Sequence, residues 1–214
     1  MLVIFDLDGT LLNTLEDLCN SCNHTLASYG FPTHSLYSYR YFVGDGMRKL
    51  IERSLPEDKR TVDTMERVYS DFLSYYQEHK MDKTAPYAGI RQTLEILQAK
   101  GVKIAVASNK AHEAMDALMR HYFPSIQFTA VFGKRPNVPV KPDPSIIFDI
   151  LHIAKTPQKE AWYVGDTATD MLTASNAGLR KIGVLWGFRN RIELEQAGAD
   201  IIISDPKELL TIVL

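Results

Sequence analysis

Residues 2–10 read LVIFDLDGT, in which four apolar residues precede two aspartates, Asp6 and Asp8, and then Gly9 and Thr10. A short apolar run without alternation is typical of a strand buried on both faces of a parallel sheet. The two aspartates follow the carboxyl end of that strand, which is where open parallel sheets bind their ligands. This stretch therefore predicts the first strand of an α/β fold and the position of a functional site.

Four further apolar runs predict more strands of the same buried sheet. They are KIAVAS at 103–108, AWYVG at 161–165, KIGVLW at 181–186 and DIIIS at 200–204. Helical patterns lie between the runs, at 90–100, 112–121, 144–152 and 169–177. The alternation of strands and helices predicts a Rossmann-like, doubly wound parallel sheet core of the α/β class.

One long segment interrupts this alternation between the first two strands. Residues 14–83 contain no buried-strand pattern, and after a first helix further helices are predicted at 36–42, 47–53 and 59–79. The segment is therefore predicted to be a helical cap domain, inserted into a core of residues 1–13 and 84–214. The first helix carries Cys19 and Cys22, but no second Cys/His pair completes a zinc site, so packed thiols are expected.

The composition limits the kinds of partner that the protein is expected to bind. The chain has 214 residues, a net charge of −2 and 45% hydrophobic residues, which gives no electrostatic reason to expect nucleic-acid or membrane binding. No apolar stretch has the length of a bilayer span, and the N-terminus lacks the pattern of a secretory leader. A cytoplasmic monomer or homodimer is expected.

Polar residues follow the carboxyl ends of the first three predicted strands, and so should meet at one rim of the sheet. Asp6 and Asp8 follow the first strand, Ser108 and Asn109 the second, and Asp166 and Asp170 the third, while Lys141 lies in the loop before the third strand. Gathered carboxylates repel one another, so a cation or a proton is required among them. A hard, oxygen-seeking ion that also binds phosphate fits Mg²⁺ best.

Other groups at this rim suit an anionic ligand. Gly9 lets the backbone approach a ligand closely, Ser108 and Asn109 supply neutral donors, and Lys141 supplies a positive charge. Taken singly, each motif has a structural interpretation: the D-x-D is a turn, the lysine between prolines is exposed loop, and GDTATD at 165–170 is a helix N-cap with a first-turn acid. The joint occurrence at successive strand ends favours a catalytic site.

With these motifs, the sequence resembles the haloacid dehalogenase superfamily of phosphohydrolases. The resemblance rests on DLDGT at 6–10, Ser108 after the second strand, KPDP at 141–144 and GDTATD at 165–170, and it spans essentially the whole chain. DGTLLNTLEDL at 8–18 and FVGDGMRKLIERSLP at 42–56 look like the phosphoglycolate phosphatases within that group. A mobile helical cap over a Rossmann-like core is the fold that the resemblance implies.

The resemblance also implies roles for individual residues. Asp6 would be the nucleophile that forms an aspartyl phosphate, and Asp8 the general acid and then the general base. Mg²⁺ would be held by Asp6, the main-chain carbonyl of Asp8, Asp166 and, directly or through water, Asp170. The phosphate would be bound by Gly9, Thr10, Ser108, Asn109 and Lys141, and the rest of the substrate by Gly44 and Arg48 of the cap.

Several alternatives stay open at the level of sequence. Arg48 either pairs with a substrate carboxylate or is a solvated helix residue. A pyrophosphatase or a sugar-phosphate phosphatase would use the same scaffold, because the cap determines the substrate. From a different class, a phospho-aspartate sensor or a scaffold protein would carry similar residues on a doubly wound domain. Small-molecule phosphate esters are the expected partners of the enzyme.

Overall fold

The computed structural model describes residues 1–214 and contains eight strands and ten α-helices. The strands are β1 (Leu2–Phe5), β2 (Leu12–Asn13), β3 (Ala85–Pro86), β4 (Lys103–Ala111), β5 (Ala130–Lys134), β6 (Ala161–Gly165), β7 (Arg180–Val184) and β8 (Ile201–Ile203). The helices are α1 (Leu15–Ser28), α2 (Leu36–Phe42), α3 (Met47–Ser54), α4 (Val62–His79), α5 (Ile90–Ala99), α6 (His112–Tyr122), α7 (Ser145–Ala154), α8 (Ala168–Asn176), α9 (Arg191–Gln196) and α10 (Glu208–Val213). None of these helices combines the length and hydrophobicity that a bilayer span requires.

Six strands form one parallel sheet in the order β5-β4-β1-β6-β7-β8. Alternate residues of β1 lie on opposite faces: Val3 and Phe5 pack in the cluster that contains α5, α6 and α10, whereas Leu2 and Ile4 pack in the cluster that contains α7 and α8. Helices therefore cover both faces of the sheet. The predicted doubly wound α/β core is confirmed, and β1 lies near its centre between β4 and β6.

Helices α1–α4 pack around a hydrophobic cluster of their own, which includes Phe72 and Tyr76 of α4. Cys19 and Cys22 are buried in this cluster as free thiols, as expected. The two chain segments that connect these helices to the sheet pair with each other as the short antiparallel strands β2 and β3. This pair was not predicted from the sequence. Two-residue strands have too short a pattern to be recognised, and Leu12 and Asn13 are paired by a segment more than 70 residues away.

The structure corrects several predicted boundaries. The helix predicted at 59–79 begins at Val62, because residues 57–59 form a 3₁₀ turn and the Thr61 side chain caps the helix by accepting a hydrogen bond from Thr64 N. The strand predicted at 181–186 ends at Val184, after which Trp186 donates from its indole N–H to Thr10 O at 3.0 Å. Strand β4 continues to Ala111 through an irregular register.

Besides β2 and β3, three further elements of the core were not predicted at all. Strand β5 lies at the edge of the sheet and is only partly buried, so its run AVFGK lacks the continuous hydrophobicity of the central strands. Helices α9 and α10 have six residues each, which is less than two turns and gives little periodicity.

Candidate active site

The polar residues singled out in the sequence converge at the carboxyl edge of the central strands. Asp6 follows β1 directly, and its backbone N–H donates to Val164 O of β6 at 2.9 Å. This hydrogen bond holds the backbone of Asp6 at the rim of the sheet. Asp166 follows β6, and Ser108 lies in the irregular end of β4. All three are almost fully buried, so their side chains meet in a site that is shielded from bulk water.

Three carboxylates form the centre of the site. Ligand oxygens of Asp6, Asp166 and Asp170 all lie within 4.8 Å of one another. Asp166 is oriented on both oxygens, since Oδ1 accepts from Thr10 Oγ1 at 3.1 Å and Oδ2 accepts from Phe188 N at 2.8 Å. The structure thus brings together three of the four residues predicted to hold a metal.

Asp170 also lies in the first turn of helix α8, which was the structural interpretation of its motif in the sequence. Its Oδ2 accepts from Thr167 N at 3.0 Å and Thr167 Oγ1 at 2.7 Å, while Thr167 also caps the N-terminus of α8. The two residues form a capping box, which rigidly orients Asp170. Its other oxygen, Oδ1, stays directed at Lys141, at 2.7 Å.

Lys141 is buried among the acids rather than exposed in its proline-rich loop. Its Nζ lies 2.9 Å from Asp6 Oδ1 and donates to Asp170 Oδ1 at 2.7 Å and to the Tyr163 hydroxyl at 2.9 Å. Burial acts to lower the pKa of Lys141, but the charges of Asp170 and Asp6 outweigh it and hold the pKa well above its ordinary value. Lys141 therefore carries a permanent positive charge beside Asp6.

The charge balance of this cluster fits a divalent cation. Burial, followed by the charge of Asp170, raises the pKa of Asp6 to about 7, and burial with the charges of Asp170 and Asp6 raises that of Asp166 well above its ordinary range. Three carboxylates against the one ammonium of Lys141 leave two uncompensated negative charges. Asp6 Oδ1 is also buried without an aligned hydrogen-bond donor. The residues could hold a metal ion, and their oxygen donors suit a hard one.

Asp8 is not part of this carboxylate cluster and has its own cationic partner. Lys110 Nζ donates to Asp8 Oδ1 at 3.0 Å and to the hydroxyl of Tyr76, on helix α4, at 2.7 Å. The Lys110 side chain is 1% exposed. Burial acts to lower its pKa, but Asp8 and Tyr76 outweigh this, so the pKa is raised and the ammonium stays charged. The sequence analysis did not assign a role to Lys110, although it directly follows Ser108 and Asn109.

Ser108 and Asn109 have different surroundings. Ser108 Oγ accepts from Lys110 N at 3.2 Å, and its hydroxyl proton has no acceptor within the protein. The side chain of Asn109, by contrast, donates from Nδ2 to the main-chain oxygens of Gly44 and Lys141 at 3.2 Å each, and its Oδ1 accepts from Lys141 N at 2.8 Å. Asn109 thus joins the cap loop to the Lys141 loop.

A small cavity lies over Asp6 and Asp8, between the sheet rim and the cap. Its volume is about 30 Å³, which is room for about two water molecules. The lining residues are Asp6, Asp8, Ser108, Asn109 and Lys110 from the core, and Leu18, Val43, Gly44, Gly46, Met47 and Leu50 from the cap. A phosphate ester is larger than this space, so the cap loop must move outward before such a ligand can enter.

Arg48 does not line this cavity. Its Nη2 is 2.5 Å from Glu66 Oε1, its side chain is 47% exposed, and its guanidinium lies over the ring of Tyr69. Gly44, the other cap residue predicted to contact substrate, does line the cavity. Nothing in the sequence around Arg48 indicated its partner, since Glu66 is on the following helix.

Polar contacts between cap and core hold the cap over the site. Thr169 Oγ1 donates to Asp45 Oδ1 at 2.7 Å, Arg40 Nη2 donates to Gly187 O at 2.8 Å, and Arg189 Nη2 donates to Val43 O at 2.8 Å. The residue after Gly187 provides the backbone N–H that binds Asp166. The same loop therefore contacts the cap and orients a carboxylate of the site.

Gly9 allows the close approach of backbone to Asp166, and its replacement is predicted to weaken cation binding. It has φ of +91°, and a Cβ atom there would lie 2.3 Å from Asp166 Oδ2. We expect Gly9→Ala to reduce the affinity for Mg²⁺, measured by isothermal titration calorimetry, by at least about tenfold. The matched control is Gly101→Ala, with φ of +74° and no atom within 4 Å of the added Cβ. Equal affinities in the two variants would contradict the prediction.

Comparisons with known proteins agree with this geometry. Residues 3–184 match the family model of haloacid dehalogenase-like hydrolases. The chain is 33% identical to the phosphoglycolate phosphatase of Agrobacterium fabrum over 213 residues, covering 95% of this chain and 88% of the relative. It is 32% identical to the phosphoglycolate phosphatase of Mesorhizobium japonicum over 192 residues, covering 89% and 85%.

Solved structures share the whole architecture. The crystal structure of a predicted phosphoglycolate phosphatase from Haemophilus somnus superposes with a TM-score of 0.92 at 27% identity, covering 100% of this chain and 97% of that one. A haloacid dehalogenase-like hydrolase from Streptococcus pneumoniae has the same fold, with a TM-score of 0.88 at 24% identity and coverage of 99% and 97%. The chain is therefore an enzyme of the haloacid dehalogenase-like hydrolase family, related to phosphoric monoester hydrolases.

Proposed function

We propose that this enzyme is a Mg²⁺-dependent phosphatase that hydrolyses 2-phosphoglycolate or a closely similar small phosphomonoester through an aspartyl phosphate on Asp6. The observation that carries the proposal is the position of Asp6. Asp6 lines the cavity together with Asp8, and Lys141 at 2.9 Å and the oxygens of Asp166 and Asp170 lie close to its carboxylate. A nucleophile, a second carboxylate for proton transfer and positive charge are thus adjacent.

In the first half of the reaction, a carboxylate oxygen of Asp6 attacks phosphorus while the bond from phosphorus to the ester oxygen breaks. Asp8 gives its proton to the departing oxygen, which leaves as an alcohol. Lys141 orients Asp6, favours its ionised form and offsets negative charge on the phosphoryl group as it transfers. The hydroxyl proton of Ser108, which has no protein acceptor, is free to donate to a phosphoryl oxygen.

In the second half, Asp8 takes a proton from a water molecule, and the water oxygen attacks phosphorus. The bond between phosphorus and Asp6 breaks, which releases inorganic phosphate and restores the Asp6 carboxylate. Asp8 is thereby protonated again and ready for the next substrate. One residue can serve both steps because its ion pair with Lys110 keeps it in place.

Mg²⁺ would be held by carboxylate oxygens of Asp6, Asp166 and Asp170 and by the main-chain carbonyl of Asp8. When bound, it supplies Lewis-acid charge that offsets the negative charge of the phosphoryl oxygens. The protein's own contribution is to keep Asp166 fixed through Thr10 and the Phe188 backbone, so that the carboxylates need no rearrangement. Cap closure over the site would exclude bulk water from the reaction.

The choice of substrate is supported by the relatives. The curated relatives that cover most of the chain are named phosphoglycolate phosphatases. Glycolate has only two carbons, so its phosphate ester fits a site of this kind once the cap loop moves outward.

A panel of phosphate esters assayed with Mg²⁺ and with excess EDTA tests the proposal. The panel contains 2-phosphoglycolate, pyrophosphate, glucose 6-phosphate, AMP and p-nitrophenyl phosphate. We expect the highest kcat/KM for 2-phosphoglycolate and loss of turnover in EDTA. Faster hydrolysis of pyrophosphate or of glucose 6-phosphate would identify the enzyme as a pyrophosphatase or a sugar-phosphate phosphatase. Inertness towards the whole panel would favour a phosphate-sensing or scaffold role.

A further inference from the structure

The cap contributes no charged side chain to the catalytic cavity. Its six lining residues are apolar or glycine: Leu18, Val43, Gly44, Gly46, Met47 and Leu50. The three cap cations of helix α3 have other partners, since Arg48 pairs with Glu66, Lys49 with Glu52 and Arg53 with Asp45. A negatively charged leaving group could not be recognised by ion pairing with the cap in this arrangement.

Lys110 is the one cation among the residues that line the cavity. It comes from the core strand β4, and its buried ammonium lies 3.0 Å from Oδ1 of Asp8, which is partly exposed. An ammonium group has three N–H donors. Tyr76 accepts at 2.7 Å and Asp8 accepts through Oδ1 at 3.0 Å and, at the longer distance of 3.4 Å, through Oδ2, so the N–H of this weak third contact is the one that a ligand in the cavity can take.

We propose that Lys110 is the specificity residue that binds the carboxylate of an α-phosphooxy acid, so that the substrate's carboxylate is recognised by the core and not by Arg48 of the cap. This inference rests on the proposed function, because it takes Asp8 as the group that protonates the leaving oxygen. In an α-phosphooxy acid the carboxylate carbon is only two bonds from that oxygen. A carboxylate so close to the oxygen beside Asp8 is within reach of the cation that Asp8 already contacts.

Burial makes this contact selective. A charge-assisted hydrogen bond is stronger in a site from which water is excluded, and Lys110 is almost completely buried. A neutral leaving group of the same length would leave the third donor of Lys110 without a partner, which costs free energy. The hydroxyl of Tyr76, held at 2.7 Å, limits the positions that the Lys110 side chain can adopt.

The test compares 2-phosphoglycolate with ethyl phosphate, which has the same chain length but no carboxylate. We expect Lys110→Met to lower kcat/KM for 2-phosphoglycolate relative to ethyl phosphate by roughly 10- to 100-fold, mainly through KM. Any loss of Asp8 orientation affects both esters and cancels in this ratio. Lys110→Arg should recover part of the preference because it keeps the charge. Lys49→Met, on the exposed face of α3, is the matched control.

Lys110→Gln provides a second measurement if the methionine variant does not fold, since it keeps donors for Asp8 and Tyr76 but removes the charge. Equal losses on both esters would overturn the proposal and leave Lys110 as a positioning residue for Asp8. Loss of the preference in Arg48→Met alone would also overturn it. If the wild-type enzyme hydrolyses both esters equally well, carboxylate recognition is refuted but the proposed phosphatase activity is not. Inertness towards every ester would refute both proposals.

Discussion

Asp6→Asn is expected to lower kcat by a factor on the order of 10⁴ or more, the loss typical of removing a catalytic nucleophile. The amide has the shape of the carboxylate but no negative charge, so it does not attack phosphorus. The measurement is steady-state hydrolysis of 2-phosphoglycolate with saturating Mg²⁺. Asp58→Asn, at an exposed site in the 3₁₀ turn before α4, is the control and should retain wild-type turnover.

The same variant should keep its fold, because the substitution removes one of three crowded negative charges. Without a cation, the pKa of Asp6 is raised to about 7 by burial and by Asp170, which means that the ionised carboxylate is unfavourable there. Because the pKa of Asp6 is higher in the folded than in the unfolded protein, Asp6 stabilises the folded protein below about pH 4. That stabilisation is lost as the pH rises towards 7. At pH 8 without Mg²⁺, we therefore expect Asp6→Asn to melt no lower than wild type. A substantially lower melting temperature would show that the loss of activity is a loss of folding.

Lys141→Met is predicted to have the second large effect, on both activity and stability. Its ammonium is 2% exposed and lies 2.9 Å from Asp6 and 2.7 Å from Asp170. Breaking a buried ion pair by removing one partner leaves an uncompensated charge and costs about 3–5 kcal/mol in the free energy of unfolding. The lost charge beside the nucleophile should lower kcat on the order of 10³-fold. Urea unfolding without Mg²⁺, together with the ester assay, measures both quantities.

A double variant separates the two effects of Lys141. Lys141→Met combined with Asp170→Asn removes the charges on both sides of the 2.7 Å contact, so it should regain part of the stability lost in Lys141→Met. Activity should stay low, because the charge beside Asp6 remains absent. If Lys141→Met has the unfolding free energy of wild type, the interpretation of Lys141 as a buried counter-charge is wrong.

The catalytic rim could be predicted because its signals are local. Asp6 and Asp166 each follow a strand whose apolar run is recognisable by itself, and the parallel sheet brings their ends together. The position of Asp170 as a first-turn acid was among the sequence interpretations, whereas its capping box with Thr167 was not predicted. The fold class followed from the same alternation of strands and helices.

The contacts between cap and core could not be predicted, because they depend on how two separately packed units meet. Tyr76 and Lys110 are 34 residues apart, and no pattern in either segment indicates the other. The partner of Arg48 is set by the packing of α3 on α4, and the role of Asn109 as a link to the Gly44 carbonyl depends on the cap loop reaching the core. These contacts lie where the cap meets the core, which is also where the cavity is, and that is why sequence alone left the substrate open.

Direct detection of the phosphorylated enzyme tests the central claim. Wild-type protein with Mg²⁺ is mixed with ³²P-labelled 2-phosphoglycolate, quenched in acid within milliseconds and digested, and the labelled peptide is identified by mass spectrometry. We predict a phosphoryl group on Asp6 that is released by hydroxylamine, as an acyl phosphate is, and no label in Asp6→Asn. Label on another residue, or full turnover without any labelled intermediate, would contradict it.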